Sequence, residues 1–144
     1  METKQATGNN SLKNLLFVAI LFMSVSTQLE LYLLDHYEDA FQLIPIICLS
    51  LAILTFVLIQ LRLLKGLIQA FRVSLILSVL SGLYGTFLHL RANYEFEAEI
   101  NAKSDSWSLF VESLSGALPA LAPLSMILFA IIGYSYLTLI KQKL

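Results

Sequence analysis

Residues 40–61 read AFQLIPIICLSLAILTFVLIQL, and this stretch contains no charged side chain. A second uncharged stretch, residues 113–140, reads SLSGALPALAPLSMILFAIIGYSYLTLI. About 18–20 apolar residues in a helix are enough to cross the hydrocarbon core of a bilayer, which is about 30 Å thick. Both stretches are long enough, and neither alternates polar and apolar residues as the strands of a membrane barrel do. Each stretch therefore predicts a membrane-spanning helix.

Two further apolar stretches lie on either side of the first. Residues 14–34 are interrupted only by Glu30, and residues 72–90 are bounded by Arg72 and Arg91. In lipid the backbone must satisfy its own hydrogen bonds, and runs of this length do so as helices. We therefore expect one all-α domain over residues 1–144, a polytopic membrane protein with an antiparallel bundle of four transmembrane helices. The predicted spans are residues 14–34, 40–61, 72–90 and 117–140, and the predicted outer loop is residues 91–112.

The first span also has features of a cleaved signal peptide. Lys4 and Lys13 form a basic start, an apolar core follows, and Ser24 to Ser26 offer a cleavage site. However, the apolar stretch resumes after Glu30 and continues to Leu34, which gives it the length of a span. We expect the segment to be retained, and cleavage is the alternative.

The composition excludes several classes of protein. The chain is 58% hydrophobic and 13% charged, with a net charge of −1, whereas a soluble domain is about 45–50% apolar and about 25% charged. This balance disfavours a soluble enzyme, a disordered tail and a nucleic-acid-binding protein. The single cysteine, Cys48, leaves no pair of thiols for a disulfide or redox site. No HExxH motif, phosphate-binding loop or serine nucleophile elbow is present, so we expect no enzymatic activity.

The placement of positive charge predicts the orientation. Loops that stay in the cytoplasm are the ones rich in Lys and Arg. Of the nine such residues, only Arg91 and Lys103 fall in the two connections on the other side. We therefore expect both termini in the cytoplasm of a multi-pass protein of the cell membrane, inner or plasma. The seven cytoplasmic residues are Lys4, Lys13, Arg62, Lys65, Arg72, Lys141 and Lys143.

Glu30 is the first candidate functional residue. It lies about one helical turn inside the predicted membrane edge, and an ionisable residue within a span costs roughly 2.5–3.5 kcal/mol at its centre. Both histidines and nine of the ten carboxylates fall on this outer side. The outer face is therefore strongly acidic, although the whole chain is almost neutral.

Helical spacing predicts a second group of candidates. If the third helix continues past the membrane, residues four apart share one face. That face extends a stripe of small residues, and such stripes are where membrane helices approach one another closely. We expect it to point into the mouth of the bundle. Its members are Ser74, Ser78, Gly82, Gly85, His89, Asn93 and Glu97.

These candidates suggest a metal site if spans one and three are neighbours. Imidazole and carboxylate groups bind zinc, manganese or iron. The predicted ligands of a divalent cation are Glu30, His36, His89 and Glu97, and the further polar groups at the mouth are Asn93 and Gln42. The alternative is that the carboxylates avoid the cytoplasmic side and the histidines anchor at the lipid headgroups. We expect no haem, because His36 follows Asp35 at the wet end of its span.

Two prolines open the fourth span. Pro119 and Pro123 are four residues apart, and proline is favoured in the first turn of a helix, where its missing N–H costs nothing. We expect a helix start at the outer interface. An interrupted helix that binds an ion is the alternative.

The sequence therefore predicts a small non-enzymatic accessory protein or subunit of a membrane complex. Its acidic, histidine-containing outer face would bind a divalent cation or a partner. The alternative is a proton- or cation-coupled transporter or channel subunit, in which Glu30 exchanges a proton for a substrate. The expected partners are the lipid bilayer and either a second copy of the chain or another membrane protein, and not nucleic acid.

Overall fold

A computed structural model describes the backbone of residues 2–141 and the side chains of residues 8–140. The described chain is helical and contains no strand, which confirms the predicted all-α class. Within the described residues, four helical segments are long and apolar enough to cross a membrane, so the predicted number of such helices is confirmed as well. The fourth segment, Ala122–Ile140, includes a 3₁₀ turn. The helices are α1 (Glu2–Leu33), α2 (Ala40–Leu61), α3 (Lys65–Ile100), α4 (Ser106–Leu114) and α5 (Ser125–Lys141), with a 3₁₀ turn at Ala122–Leu124.

The four long helices form a ring in the order α1, α2, α3, α5. Each packs on two neighbours, and within the described residues the backbones of α1 and α3 do not meet. The predicted cation site assumed that these two helices are neighbours. In the structure α2 and α5 lie between them, so α1 and α3 are not neighbours.

One aromatic side chain from each long helix builds the centre of the core. The ring centroid of Phe56 on α2 lies 5.5 Å from Phe17, 5.4 Å from Phe71 and 5.1 Å from Tyr136. The Tyr136 hydroxyl donates a hydrogen bond of 2.8 Å to Gln60 Oε1, so the hydroxyl of this buried tyrosine has a partner. This cluster closes the bundle towards the end that holds the α2–α3 connection.

The small-residue stripe of α3 faces the interior, as its spacing predicts. Ser74 and Ser78 are buried, and each donates its hydroxyl proton to a carbonyl of its own helix, that of Phe71 or of Ser74. A Cβ atom on Gly82 would lie only 2.7 Å from the carbonyl oxygen of Pro123. The glycine therefore allows the 3₁₀ turn to press directly on α3.

The segment after residue 90 is more ordered than a loop. α3 has 36 residues, which gives a length of about 54 Å at 1.5 Å per residue, and its last turns fall within the predicted outer loop. α4 packs on this extension of α3 and is capped by Asp105, whose carboxylate accepts from the backbone N–H groups of Trp107 and Ser108.

The last long helix begins later than the sequence predicts. Residues 117–121 are not helical, and α5 starts at Ser125, directly after the 3₁₀ turn. In an α-helix the ring of Pro123 would clash with the carbonyl four residues earlier, which belongs to Pro119. The two prolines therefore hold a non-helical segment against α3.

Candidate functional site

A cavity of about 120 Å³ lies at the end of the bundle that holds the α1–α2 connection. We call this the acidic end, because nine of the ten Asp and Glu residues lie on the segments that meet there. All four long helices and the 3₁₀ turn contribute to the cavity wall, which is mostly apolar. The volume corresponds to roughly four molecules of liquid water. The cavity can therefore hold a small organic group.

The turn after α1 places His36 at the cavity. His36 N–H bonds to the Leu31 carbonyl at 2.9 Å, and Asp35 N–H bonds to the Tyr32 carbonyl at 3.2 Å. This is the Schellman pattern of a helix C-terminus, which needs a left-handed residue. Asp35 takes that conformation with φ of 52°, which aspartate tolerates better than most side chains. The chain therefore reverses at Asp35 and directs His36 back over the bundle.

The first turn of α2 fixes Gln42, another residue of the cavity wall. Asp39 is the N-cap and accepts from the backbone N–H groups of Phe41 at 2.7 Å and Gln42 at 2.9 Å. In return, Gln42 Oε1 accepts from the Glu38 N–H at 2.8 Å. This reciprocal capping holds the Gln42 side chain in one place and joins the cavity wall to the α1–α2 connection.

His89 reaches the cavity from α3 and meets His36. Its Nδ1–H donates to the carbonyl oxygen of Pro119 at 3.1 Å, and a carbonyl can only accept, so the proton must sit on Nδ1. The centroids of the two imidazole rings are 6.4 Å apart, with an angle of 74° between the ring planes. The non-helical segment before α5 therefore sets the orientation of His89.

The electrostatics of His36 favour its neutral form. Partial burial and the neighbouring His89 lower the pKa of His36 below its ordinary value, although the Asp39 carboxylate opposes this effect. The cause is that a charged imidazole loses hydration when it is buried. Burial and the neighbouring His89 therefore favour the neutral imidazole of His36 over its charged form.

Asn93 acts on the segment before α5 and does not line the cavity. Its side chain is buried; Nδ2 donates to the carbonyls of Ser113 at 2.9 Å and Leu118 at 2.8 Å, and Oδ1 accepts from the Leu118 N–H at 3.0 Å. A Cβ atom on Gly116 would lie 2.5 Å from Asn93 Cγ. Asn93 therefore hydrogen-bonds to both backbone groups of Leu118, as a neighbouring β-strand would. No periodicity in the sequence indicates that role.

The predicted metal ligands are only partly brought together. Glu30, His36 and His89 line the cavity together with Gln42, but Glu97 does not line it and instead accepts from Asn101 Nδ2 at 3.2 Å. Among the residues with described side chains, no group of three or more His, Cys, Asp or Glu side chains could hold a metal ion. The structure therefore gives the predicted divalent-cation site no ligand geometry.

The aromatic part of the cavity wall was not predicted from the sequence. Phe41 on α2 and Tyr84 on α3 both line the cavity, with ring centroids 6.1 Å apart and an angle of 51° between the rings. The two residues belong to different helices, so no spacing along the chain relates them. Their position just inside the predicted membrane edge was the only available signal.

No protein-family model, no curated protein and no solved structure matches the chain. The cavity itself combines a mostly apolar wall with a few polar groups from separate parts of the chain, among them Glu30, His36, Gln42 and His89. This combination is typical of sites that bind small molecules.

Proposed function

We propose that the protein spans a cell membrane four times, with both termini and the α2–α3 connection in the cytoplasm. Many large apolar side chains on the long helices are exposed, including Phe22, Leu61 and Phe87, and lipid would cover them. Seven of the nine Lys and Arg residues lie on the segments assigned to the cytoplasmic side, as the positive-inside rule requires. The acidic end and α4 then lie outside.

Thiol labelling tests this orientation. In a Cys48→Ala background, Ser104→Cys is expected to react with a membrane-impermeant maleimide in intact cells, because Ser104 is exposed at the acidic end. Gly66→Cys, at the start of α3 where nothing lies within 4 Å of a Cβ atom, should react only after the cells are permeabilised. The reverse pattern would contradict the orientation.

We infer that the acidic-end cavity binds a small ligand, and that the protein acts as a non-enzymatic binding or accessory subunit in the membrane. The observation that carries this inference is the convergence of His36, His89 and Glu30 on one mostly apolar cavity. They come from three separate parts of the chain, the α1–α2 connection, α3 and α1. An apolar wall supplies affinity, and a few fixed polar groups supply orientation.

Two serines of α3 provide a matched test of the cavity. Both are buried, but Ser81 lines the cavity and Ser74 lies deeper in the core. In the Cys48→Ala background, Ser81→Cys should react with a small, water-soluble methanethiosulfonate added from outside. Ser74→Cys should not react on the same timescale. If neither thiol reacts with the reagent, the cavity is closed to solutes from outside, and the proposed function is wrong.

Coupled transport through Glu30 is the second candidate. Glu30 lines the cavity and lies within the first predicted span, so it is placed to exchange a proton for a cation. Proteoliposomes that contain a pH-sensitive dye separate the two functions. A sodium or potassium gradient is imposed to supply the exchanged cation. A binding subunit should leave the resulting proton flux at the level of protein-free vesicles, whereas a flux that Glu30→Gln abolishes would favour transport.

A further inference from the structure

The charged and aromatic residues of the cavity indicate the class of its ligand. We propose that the cavity binds the ammonium group of a small organic cation, with Glu30 as the counter-ion and Phe41 and Tyr84 as an aromatic wall. This inference rests on the proposed function, because it assigns a ligand to the same cavity.

The charge of the cavity wall favours a cation. Among the residues whose side chains the structure describes, Glu30 is the only acidic one in the cavity wall, and none of the wall residues is Lys or Arg. Of the two basic residues at the acidic end, Arg91 is engaged by Glu95 in an ion pair of 2.7 Å. A cleft that carries one sign of charge between apolar walls concentrates ions of the opposite sign. The cavity therefore attracts cations and repels anions.

The aromatic pair in the cavity wall favours an ammonium group. The faces of aromatic rings carry partial negative charge and attract ammonium groups, and aromatic cages that recognise quaternary ammonium ligands use this property. Phe41 and Tyr84 line the same cavity as Glu30 from two different helices. Their centroids are 6.1 Å apart and their planes are inclined by 51°, so the two rings form an angled wall.

The side chains of the cavity suit an organic cation better than a metal ion. Zinc needs about four close ligands and calcium six or more. The residues with described side chains offer no cluster of three suitable side chains. An alkylammonium ion spreads its charge over several carbon atoms and needs only one counter-ion and an apolar surround. A cavity of about 120 Å³ with Leu31, Leu34 and Leu88 in its wall meets that requirement.

Two thiol reagents of similar size and opposite charge test the proposal. The protein carries Cys48→Ala and Ser81→Cys, and it is treated with a trimethylammonium or a sulfonate methanethiosulfonate. Each rate is divided by the rate of the same reagent with 2-mercaptoethanol. The cationic reagent is expected to react about tenfold faster after this correction, as a single nearby carboxylate in a partly polar site would produce.

Competition measures the ligand directly. Choline and its uncharged isostere 3,3-dimethylbutan-1-ol are added before methyl methanethiosulfonate, which is neutral. Choline should protect Ser81→Cys, and the alcohol at the same concentration should not. Equal protection by both compounds would overturn the inference and leave the proposed binding function intact. Failure of every reagent to reach Ser81→Cys would overturn the proposed function as well.

Two carboxylate variants identify the counter-ion. Glu30→Gln should abolish the preference for the cationic reagent. Glu38 is exposed like Glu30 but lies outside the cavity wall, so Glu38→Gln makes the same change of charge and should preserve the preference. An equal loss in both variants would assign the preference to the general surface charge and overturn the proposal.

Phe41→Leu tests the aromatic wall and keeps Glu30. It should weaken choline protection and leave the sulfonate rate unchanged, and unchanged choline protection would also overturn the proposal.

Discussion

Asn93→Ala is expected to lower the free energy of unfolding by about 3 kcal/mol, because buried groups left without hydrogen-bond partners cost about 1–3 kcal/mol each. The alanine removes all three hydrogen bonds that the Asn93 side chain makes to the backbone of Ser113 and Leu118. The carbonyls of Ser113 and Leu118 and the Leu118 N–H would then lack their partner. Thermal denaturation in detergent micelles measures the loss, and faster hydrogen exchange of the amides in residues 115–121 should accompany it.

Asn101→Ala is the matched control. Asn101 is only partly buried, and its amide makes longer bonds, of 3.2 and 3.4 Å, to the carboxylates of Glu97 and Glu112. We expect a loss of about 0.5 kcal/mol or less, because exposed polar groups regain their hydrogen bonds from water. A similar loss in both variants would show that Asn93 does not hold the segment.

The stability of an Asn93→Asp variant should depend on pH. The replaced Nδ2 donates to two carbonyls at 2.9 and 2.8 Å, and an ionised carboxylate oxygen there would face both carbonyls without a proton. Its pKa in the folded protein should therefore be raised above the unfolded value. A carboxyl with a raised folded pKa destabilises the fold at neutral pH, so the stability of Asn93→Asp should recover as the pH falls towards 4. Asn93→Ala should show no such recovery.

Gly82→Ala is expected to lower the free energy of unfolding by about 1–3 kcal/mol, the usual cost of overpacking a tight core. The new Cβ would lie 2.7 Å from the carbonyl oxygen of Pro123 and 3.3 Å from Met126 Cβ. The first of these atoms belongs to backbone in the 3₁₀ turn and cannot rotate away. α3 and the start of α5 must therefore separate, and the melting temperature in micelles measures the cost.

Gly66→Ala on the same helix is the control for Gly82→Ala. Nothing lies within 4 Å of a Cβ atom at Gly66, and alanine favours a helix over glycine by roughly 0.5–1 kcal/mol. This variant should be as stable as the parent or more stable. Equal destabilisation by both substitutions would mean that the close approach of Gly82 to Pro123 does not matter for stability.

Local composition was enough to predict the long helices. Each uncharged stretch indicates its helix by itself, because a helix satisfies its backbone within the segment. The i+4 spacing of α3 also predicted that Ser74, Ser78 and Asn93 share one face, and all three are buried. Both predictions depend only on neighbours along the chain.

The site was less predictable, because it depends on which faces meet. Helical spacing grouped Glu97 with His89, but in the structure Glu97 bonds to Asn101. The turn after α1 and the Pro119 carbonyl instead bring His36 and His89 together. The aromatic pair of Phe41 and Tyr84 joins two helices that no spacing relates.

The sequence by itself determined the all-α class, the four long apolar helices, the separation of charge between the two ends and the buried face of α3. Only the tertiary structure decided the order of the helices around the ring, the cavity and the role of Asn93. The physical reason is that spacing determines which side chains share a face, whereas the partner of that face depends on how closely two backbones can approach. Here that approach depends on Gly82 against Pro123 and on the Asn93 amide at residues 113 and 118.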